Sequence, residues 1–285
     1  MTLRVALPKG RMQASLFKLL DDAGMPVATT ARGYRPELRG LNSPDVKILK
    51  PQNIVGMLHA GTRDVGFAGA DWVSELEVDI VEVLDTGLDK VRIVAAAPTT
   101  MLEDGALPAR PLVVASEMER LTRRWIDARG RGDSFVRTYG ATEVFPPEDA
   151  DCIVDVAQSG ATLVANGLSI VDTLLHSSTR MYASHSAMDD ATRRAEIEAI
   201  AVLIRSVLDA RDRVLLEVNV TGDRLAALIE VLPCMKTPTV ATLHDGQGFA
   251  VKAAVPRRDL PTLLPIIRAR GATDILVMPI QQLVP

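Results

Sequence analysis

The sequence predicts an α/β fold followed by a separate α+β unit, and three observations carry that prediction. Short β-branched runs alternate with helix-period stretches through the first two thirds of the chain. A stretch rich in turn formers between Pro98 and Arg110 interrupts the alternation once, dividing the α/β part into two lobes. After Asp212 the rhythm changes to strand, helix, strand, strand, helix, strand over roughly 75 residues, a size at which such a unit builds its own core.

In order, Leu3 to Leu7 reads as a buried strand, and Met12, Leu16, Leu19, Leu20 and Ala23 recur at helical spacing until Gly24 stops them. Strands are expected at Val46 to Leu49, Val65 to Ala68, Ile80 to Leu84 and Val91 to Ala97, with a short helix from Asn53 to Ala60. The second lobe opens on Leu112 to Ala115. It continues with a helix around Glu117 to Ala128, a strand at Phe135 to Thr138, and a strand at Cys152 to Val156 that feeds a Gly-containing turn and another helix. Ile197, Ile200, Ala201, Ile204, Val207 and Leu208 stripe one face of a helix from Asp190 to Asp209, which returns the chain to the first lobe. The last unit reads Val214 to Val220, Leu225 to Leu232, Thr239 to Leu243, Ala250 to Val255, Leu260 to Ala269 and Asp274 to Met278, the ferredoxin-like order. The expected domains are 1–98 with 185–211, then 99–184, then 212–285.

Composition narrows the function. Hydrophobic residues at 47% and charged residues at 24% are ordinary for a folded globular chain. With 32 Lys+Arg against 36 Asp+Glu and only 4% aromatics, no basic stripe or stacking platform points to nucleic acid, so an anionic substrate needs a local pocket. No apolar run reaches the roughly 18 residues of a membrane span, and Met1 to Pro8 lacks signal-peptide character. Cys152 and Cys234 sit in or beside apolar segments, as packing residues of a reduced compartment do; a cytoplasmic protein is expected. The four histidines lack zinc-site spacing, Arg131-Gly132-Asp133 and Arg257-Arg258 read as polar turns, and Trp72 and Trp125 read as packing residues.

The segment Asp151-Cys152-Ile153-Val154-Asp155-Val156-Ala157-Gln158-Ser159-Gly160-Ala161-Thr162-Leu163 carries the chemistry. A strand bearing acids, then a small-residue turn, then a helix start offers backbone N–H groups to a phosphate and carboxylates to sugar hydroxyls. Ser159 and Thr162 add hydroxyls, and Gly160 admits close approach. From spacing alone, Ser159 as a helix cap and Asp155 as a turn residue remain equally open.

This segment, continuing to Asn166-Gly167-Leu168, resembles the phosphoribosyl pyrophosphate element of ATP phosphoribosyltransferases, and Gly140-Ala141-Thr142-Glu143-Val144 resembles the stretch leading into it. Leu7-Pro8-Lys9-Gly10-Arg11 and Val65 to Trp72 are similar to the family's first two conserved turns. Leu232 to Thr239 and Gly271 to Val277 resemble the C-terminal domain of its long form. The resemblance implies two lobes like those of a periplasmic binding protein around a cleft, plus a histidine-binding regulatory domain. It implies transfer of the 5-phosphoribosyl group to N1 of ATP, releasing pyrophosphate, with Mg²⁺ on the leaving group, as the first step of histidine biosynthesis. It also implies inhibition by L-histidine and assembly into dimers and hexamers.

By resemblance, Glu143, Asp151 and Asp155 would lie around the ribose and its metal, and Ser159, Gly160, Ala161 and Thr162 would hold the 5-phosphate. Lys9 and Arg11 would face pyrophosphate or ATP phosphates, against the alternative of a solvated basic turn. Asp71 would accept from a ribose hydroxyl or the adenine amino group, or cap the helix beginning at Trp72, or both. Lys50, Asn53 and Val55 depart from the family's usual Arg, Asp and Pro, so Lys50 keeps the cation for phosphate but loses the bidentate fork. The histidine effector would meet Asn219, Met235, Thr239 and Asp274; Asn219 replaces a usual acid, and Asp274 brings one to a position usually small. Two rivals stand beside this reading, a noncatalytic two-lobed sensor of small molecules and a different phosphoribosyltransferase sharing the phosphate loop.

Overall fold

The computed structural model describes residues 2–29, 33–42, 44–235, 237–244 and 246–284. It divides into two compact units, residues 1–201 and 202–285.

The first unit contains β1 (Arg4–Pro8), α1 (Gln13–Asp22), β2 (Val27–Ala28), β3 (Glu37–Leu38), β4 (Asp45–Leu49), α2 (Pro51–His59), β5 (Val65–Gly69), α3 (Ala70–Leu76) and β6 (Val81–Pro98). There follow β7 (Val113–Ser116), α4 (Glu119–Arg129), β8 (Ser134–Arg137), β9 (Cys152–Ala157), α5 (Ala161–Ala165), β10 (Leu168–Ala183) and α6 (His185–Asp189), and then α7 (Ala191–Arg211) begins. One eight-stranded sheet, in the order β4-β1-β5-β10-β6-β9-β7-β8, organises it. β4, β1 and β5 are mutually parallel, as are β9, β7 and β8, so two parallel half-sheets are joined through the antiparallel strands β10 and β6. Each half-sheet takes its strands from one side of the turn-rich segment after Pro98: β4, β1 and β5 precede it, and β9, β7 and β8 follow it.

Local chemistry explains the pieces. Interior parallel strands are buried on both faces, and Ala6, Leu7, Val65 and Ala68 are all nearly or fully buried. α2 starts at Pro51, whose fixed φ suits the first helical position. α1 presents Leu16, Leu19 and Leu20 to the core. α7 is tied back to the first half-sheet by Arg193, 3.7 Å from the buried carboxylate of Asp64, which also binds Arg4 at 2.6 Å.

Two expectations are corrected here. Ile80 to Leu84 and Val91 to Ala97 are not separate strands but parts of the continuous 18-residue β6. The stretch between them, Asp85 to Lys90, stays within the strand although Gly87 and Asp89 take φ +64° and +50°, because β10 pairs alongside and Thr86 Oγ1 donates to the Thr179 carbonyl. β10 itself, 16 residues long, has no counterpart in the sequence reading. Its pairing with β6 shifts register five times between Ile170 and Tyr182, which scrambles the alternation that would mark a strand.

β6 and β10 also place the functional end of each half-sheet. β5 ends at Gly69, opposite Thr179 of β10, which pairs with Leu88 of β6. β9 ends at Ala157, opposite Arg92 of β6. The carboxyl ends of the two half-sheets therefore point toward each other across residues 88 to 92 of β6. Crevices at such ends are where open α/β sheets bind ligands.

The second unit holds the rest of α7, β11 (Arg213–Thr221), α8 (Leu225–Ile229), β12 (Thr239–Thr242), β13 (Gly248–Pro256), α9 (Leu260–Ala269) and β14 (Thr273–Pro279), with sheet order β12-β13-β11-β14. This is the expected βαββαβ unit. Alternate β11 residues Val214, Leu216, Val218 and Val220 pack with Leu228, Val251, Val255, Leu263 and Ile267 into its own core. α8 ends at Ile229, short of the expected Leu232. Among the described residues, no helix is long and apolar enough to cross a membrane.

Candidate active site

The turn after β9 builds the site. Gly160 takes φ +82°, a left-handed conformation that costs an L side chain roughly 1–2 kcal/mol, and α5 begins at the next residue. The cap position of α5 is Gly160 rather than Ser159, although Ser159 Oγ accepts from the Ala161 N–H at 3.3 Å. The loop wraps a cavity of about 340 Å³ lined by Glu143, Asp155, Ser159, Gly160, Ala161 and Thr162. Six of the residues predicted for the phosphoribosyl group thus line one space. The first-turn amides of a helix lack intrahelical acceptors, which suits them to a phosphate.

Electrostatics distinguish the two aspartates of β9. Burial pushes Asp155 up to about 6; the Val156 N–H, 2.6 Å from Oδ1, opposes the rise, and the nearby charges of Glu143 and Glu117 add to it. Asp155 is thus a carboxylate held in a place that disfavours its charge, a pattern concentrated at functional sites. Asp151 behaves oppositely. Its hydrogen bond from Arg110, at 2.8 Å, is the largest influence and holds it below the usual carboxylate range, while burial opposes and the Val113 N–H, also at 2.8 Å, assists. Asp151 precedes the start of β9 and Asp155 lies near its end, about 13 Å away along an extended strand. The expectation that both surround one ribose and one metal is therefore corrected: Asp151 is fixed at the opposite end, joining β9 to the start of β7.

The first-lobe candidates sit where β1, β4 and β5 end. Pro8 pairs with Leu49, and the Lys9 N–H donates to the Leu49 carbonyl at 2.9 Å, so Lys9 and Lys50 leave adjacent strand ends together. Lys9 Nζ lies 5.6 Å from the Tyr34 ring centroid, and Lys50 is exposed. Arg11 is exposed, with Nη1 donating to the Asp89 carbonyl of β6 at 2.9 Å. Asp71 does not cap α3, because the cap position is Gly69. Instead Asp71 is buried, accepting from Ser177 Oγ at 2.7 Å while its own N–H donates to the same oxygen at 3.1 Å. A Cβ on Gly69 would stand 2.0 Å from Asp71 Oδ1, which explains the glycine.

A second cavity, about 370 Å³, opens beside the first, with Gln158 lining both. Lys90, Arg92, His176 and Ser178 line it, and none of them stood out in the sequence. A cation interrupting the apolar run Val91-Arg92-Ile93-Val94 was the available signal. Among the described residues no cluster of three His, Cys, Asp or Glu side chains could hold a metal. Trp125 does more than pack: its Nε1 donates to Asp172 at 2.8 Å.

The predicted effector residues are only partly assembled. Asn219 Nδ2 donates to Asp274 Oδ2 at 3.0 Å, and Asp274 adopts φ +48°. Thr239 lies on β12, separated from β11 by β13. Met235 lines a different cavity, about 650 Å³, with Asp209, Arg213, Arg257 and Arg258 at the opposite end of β11. The Arg257-Arg258 turn therefore borders a cavity as well as solvent. Lys236, inside the matched segment, lies outside the described residues.

Two half-sheets whose carboxyl ends face each other, a helix-start loop with free amides and a half-buried carboxylate beside it mark an α/β protein with a site suited to a phosphorylated ligand. Comparison with known proteins narrows the class. A sequence profile described as ATP phosphoribosyltransferase matches residues 50–206, and one described as HisG, C-terminal domain, matches residues 210–282. ATP phosphoribosyltransferases of Pelotomaculum thermopropionicum and Desulforudis audaxviator are 33% and 35% identical, each over 100% of both chains. A chain of the ATP phosphoribosyl transferase (HisG:HisZ) complex from Thermotoga maritima superposes with TM-score 0.64 at 22% identity, covering 73% of this chain and 99% of that one, a likeness of fold. The chain belongs to the ATP phosphoribosyltransferase family of histidine biosynthesis, in the long form that carries the C-terminal domain. The noncatalytic sensor reading is set aside, since relatives matching from end to end are named as enzymes.

Proposed function

We propose that the β9–α5 loop holds the 5-phosphate of phosphoribosyl pyrophosphate and that ATP enters from the turns after β1, β4 and β5. The observation that carries this reading is the single cavity shared by Glu143, Asp155 and the loop from Ser159 to Thr162. N1 of ATP attacks the anomeric carbon as the bond to pyrophosphate breaks; the electron pair of that bond leaves with pyrophosphate, and the ribose passes through oxocarbenium character. Asp155 and Glu143 orient the ribose hydroxyls and stabilise the developing positive charge by position, with no protein nucleophile required. Lys9, Arg11 and Lys50 supply cations to the phosphates, and Asp71, held by Ser177, acts through the shape of the first-lobe turn. Mg²⁺, bound largely through the diphosphate, would neutralise the departing charge, and Asp155, crowded by Glu143 and Glu117, is a carboxylate that a nearby cation would relieve.

The reading extends to regulation and assembly. Residues 212–285 form the regulatory domain, 1–98 with 185–211 the first catalytic lobe and 99–184 the second. L-Histidine binds near Asn219 and Asp274, whose mutual hydrogen bond is the polar pair supporting an amino-acid site there; Met235 and Thr239 belong to the same proposed set. The protein works in the cytoplasm as a dimer or hexamer, in keeping with a relative described as a complex.

Pyrophosphate release tests the reading. The full-length chain should release it from phosphoribosyl pyrophosphate only with ATP and Mg²⁺ present, and more slowly with L-histidine. Release without ATP would remove ATP as the acceptor. Insensitivity to a metal chelator would remove Mg²⁺, and insensitivity to histidine would remove the effector assignment.

A further inference from the structure

We propose that Lys90 and Arg92, on the strand shared by both half-sheets, form a phosphoanhydride subsite distinct from the β9–α5 loop. The inference rests on the phosphoribosyl reading of that loop and adds where the rest of the phosphate charge goes. Residues two apart on a strand share a face, and both side chains line the 370 Å³ cavity. Arg92 pairs in register with Ala157, the last residue of β9, so it stands at the threshold of the phosphate loop. Gln158, the next residue, lines both cavities and makes them neighbours.

Charge separates the two spaces. The loop cavity carries the carboxylates of Glu143 and Asp155. The neighbouring cavity carries Lys90, Arg92 and Arg180 against the single carboxylate of Asp85. Arg180 is already engaged, 2.7 Å from Glu82 and 3.4 Å from Asp85. The side chains of Lys90 and Arg92, by contrast, have no hydrogen-bonding or ion-pair partner among the described residues. Lys90 is exposed and Arg92 half-buried, so two unpaired cations line one open cavity, and an anion bound there would be attracted by both. A planar fork beside a point charge suits a chain of phosphoryl oxygens. Phosphoribosyl pyrophosphate with its 5-phosphate on the loop and its sugar between Glu143 and Asp155 would project its 1-diphosphate into this second space, and ATP bound from the other half-sheet would bring its triphosphate there instead.

Two substrate groups have that chemistry, the diphosphate of phosphoribosyl pyrophosphate and the triphosphate of ATP, and the test separates them. Inorganic pyrophosphate with Mg²⁺ is titrated calorimetrically into the full-length chain and into Lys90→Gln, Arg92→Gln and Arg92→Lys, each first checked by its melting curve. Each Gln variant should bind pyrophosphate about ten- to a hundredfold more weakly, the usual range for a lost charge-assisted hydrogen bond, and Arg92→Lys should restore part of the loss. A rise in KM for phosphoribosyl pyrophosphate alone assigns the subsite to the donor's diphosphate, and a rise for ATP alone assigns it to the triphosphate. Either supports the subsite. Pyrophosphate binding absent from the wild type, or unchanged in both Gln variants, overturns it. If one Gln variant fails to fold, the other carries the comparison. Should the wild type bind pyrophosphate yet form no adduct from ATP and phosphoribosyl pyrophosphate, the phosphoribosyl reading fails while the calorimetry still decides the subsite.

Discussion

Replacing Asp155 by Asn should abolish turnover and make the protein more stable, a combination peculiar to a carboxylate kept against its own solvation. Burial lifts this group from an ordinary 3.8 to about 6, with Glu143 and Glu117 adding to the rise. A raised carboxylate gives a penalty that is absent at low pH, where folded and unfolded forms are both protonated. It grows as pH climbs from about 4 to about 6 and is complete above the folded value. The difference corresponds to about 3 kcal/mol above pH 6, an upper figure for a side chain that keeps some access to water. Asn has nearly the same shape without the charge, so at pH 7.5 the variant should be more stable by on the order of 2 kcal/mol, a Tm gain of about 4–8 °C for a unit of this size. At pH 5 the gain should shrink to about half, and near pH 4 it should almost vanish. Thermal unfolding of both proteins at the three pH values, beside the rate of adduct formation, measures this. A variant that melts at the wild-type temperature or lower at pH 7.5, or whose advantage does not shrink on acidification, would refute the argument.

Other residues should respond according to their surroundings. Gly160→Val places a branched side chain at φ +82° with its Cβ 3.4 Å from Ile170 Cδ1; it should cost about 2 kcal/mol and raise KM for phosphoribosyl pyrophosphate in steady-state assays. Asp151→Ala removes the acceptor of the Val113 N–H and the Arg110 pair. It should lower Tm by the equivalent of about 1 kcal/mol and leave KM for both substrates near wild type, whereas a large kinetic defect would return Asp151 to the ribose. Because Asp151 is held below the usual carboxylate range, its contribution to stability is present above its unfolded value and fades as pH falls through the folded one, which acid titration of wild type against variant would reveal. Asp71→Ala leaves Ser177 Oγ buried without its carboxylate acceptor and should destabilise by about 1–3 kcal/mol, read from chemical unfolding.

How much of this the sequence disclosed follows from how local each signal is. β1, β5 and β9 were legible because interior strands concentrate apolar residues into short runs, and the phosphate turn was legible because its Ser, Gly and Thr fall within four residues. β10 was not, since a strand that crosses between half-sheets changes neighbours along its length and slips register as it does so. Lys90, Arg92 and His176 were hidden for the same reason: their shared cavity exists only once β6 and β10 lie side by side. Asp151 and Asp155 looked equivalent in sequence, four residues apart. Only Arg110, 41 positions upstream, shows that one is structural. Asn219 and Asp274 meet because β11 and β14 pair, whereas Met235 lies in the connection before β12 and Thr239 on β12, with β13 between it and β11.

The central claim is that the β9–α5 cavity joins a phosphoribosyl group to ATP. The most direct test mixes the full-length chain with ATP, phosphoribosyl pyrophosphate and Mg²⁺, with pyrophosphatase to draw the reaction forward, and follows ultraviolet absorbance as N1 of the adenine is alkylated. The account predicts a rise that requires both substrates and disappears in Asp155→Asn. No rise with the wild type, or an undiminished rise in that variant, would contradict it.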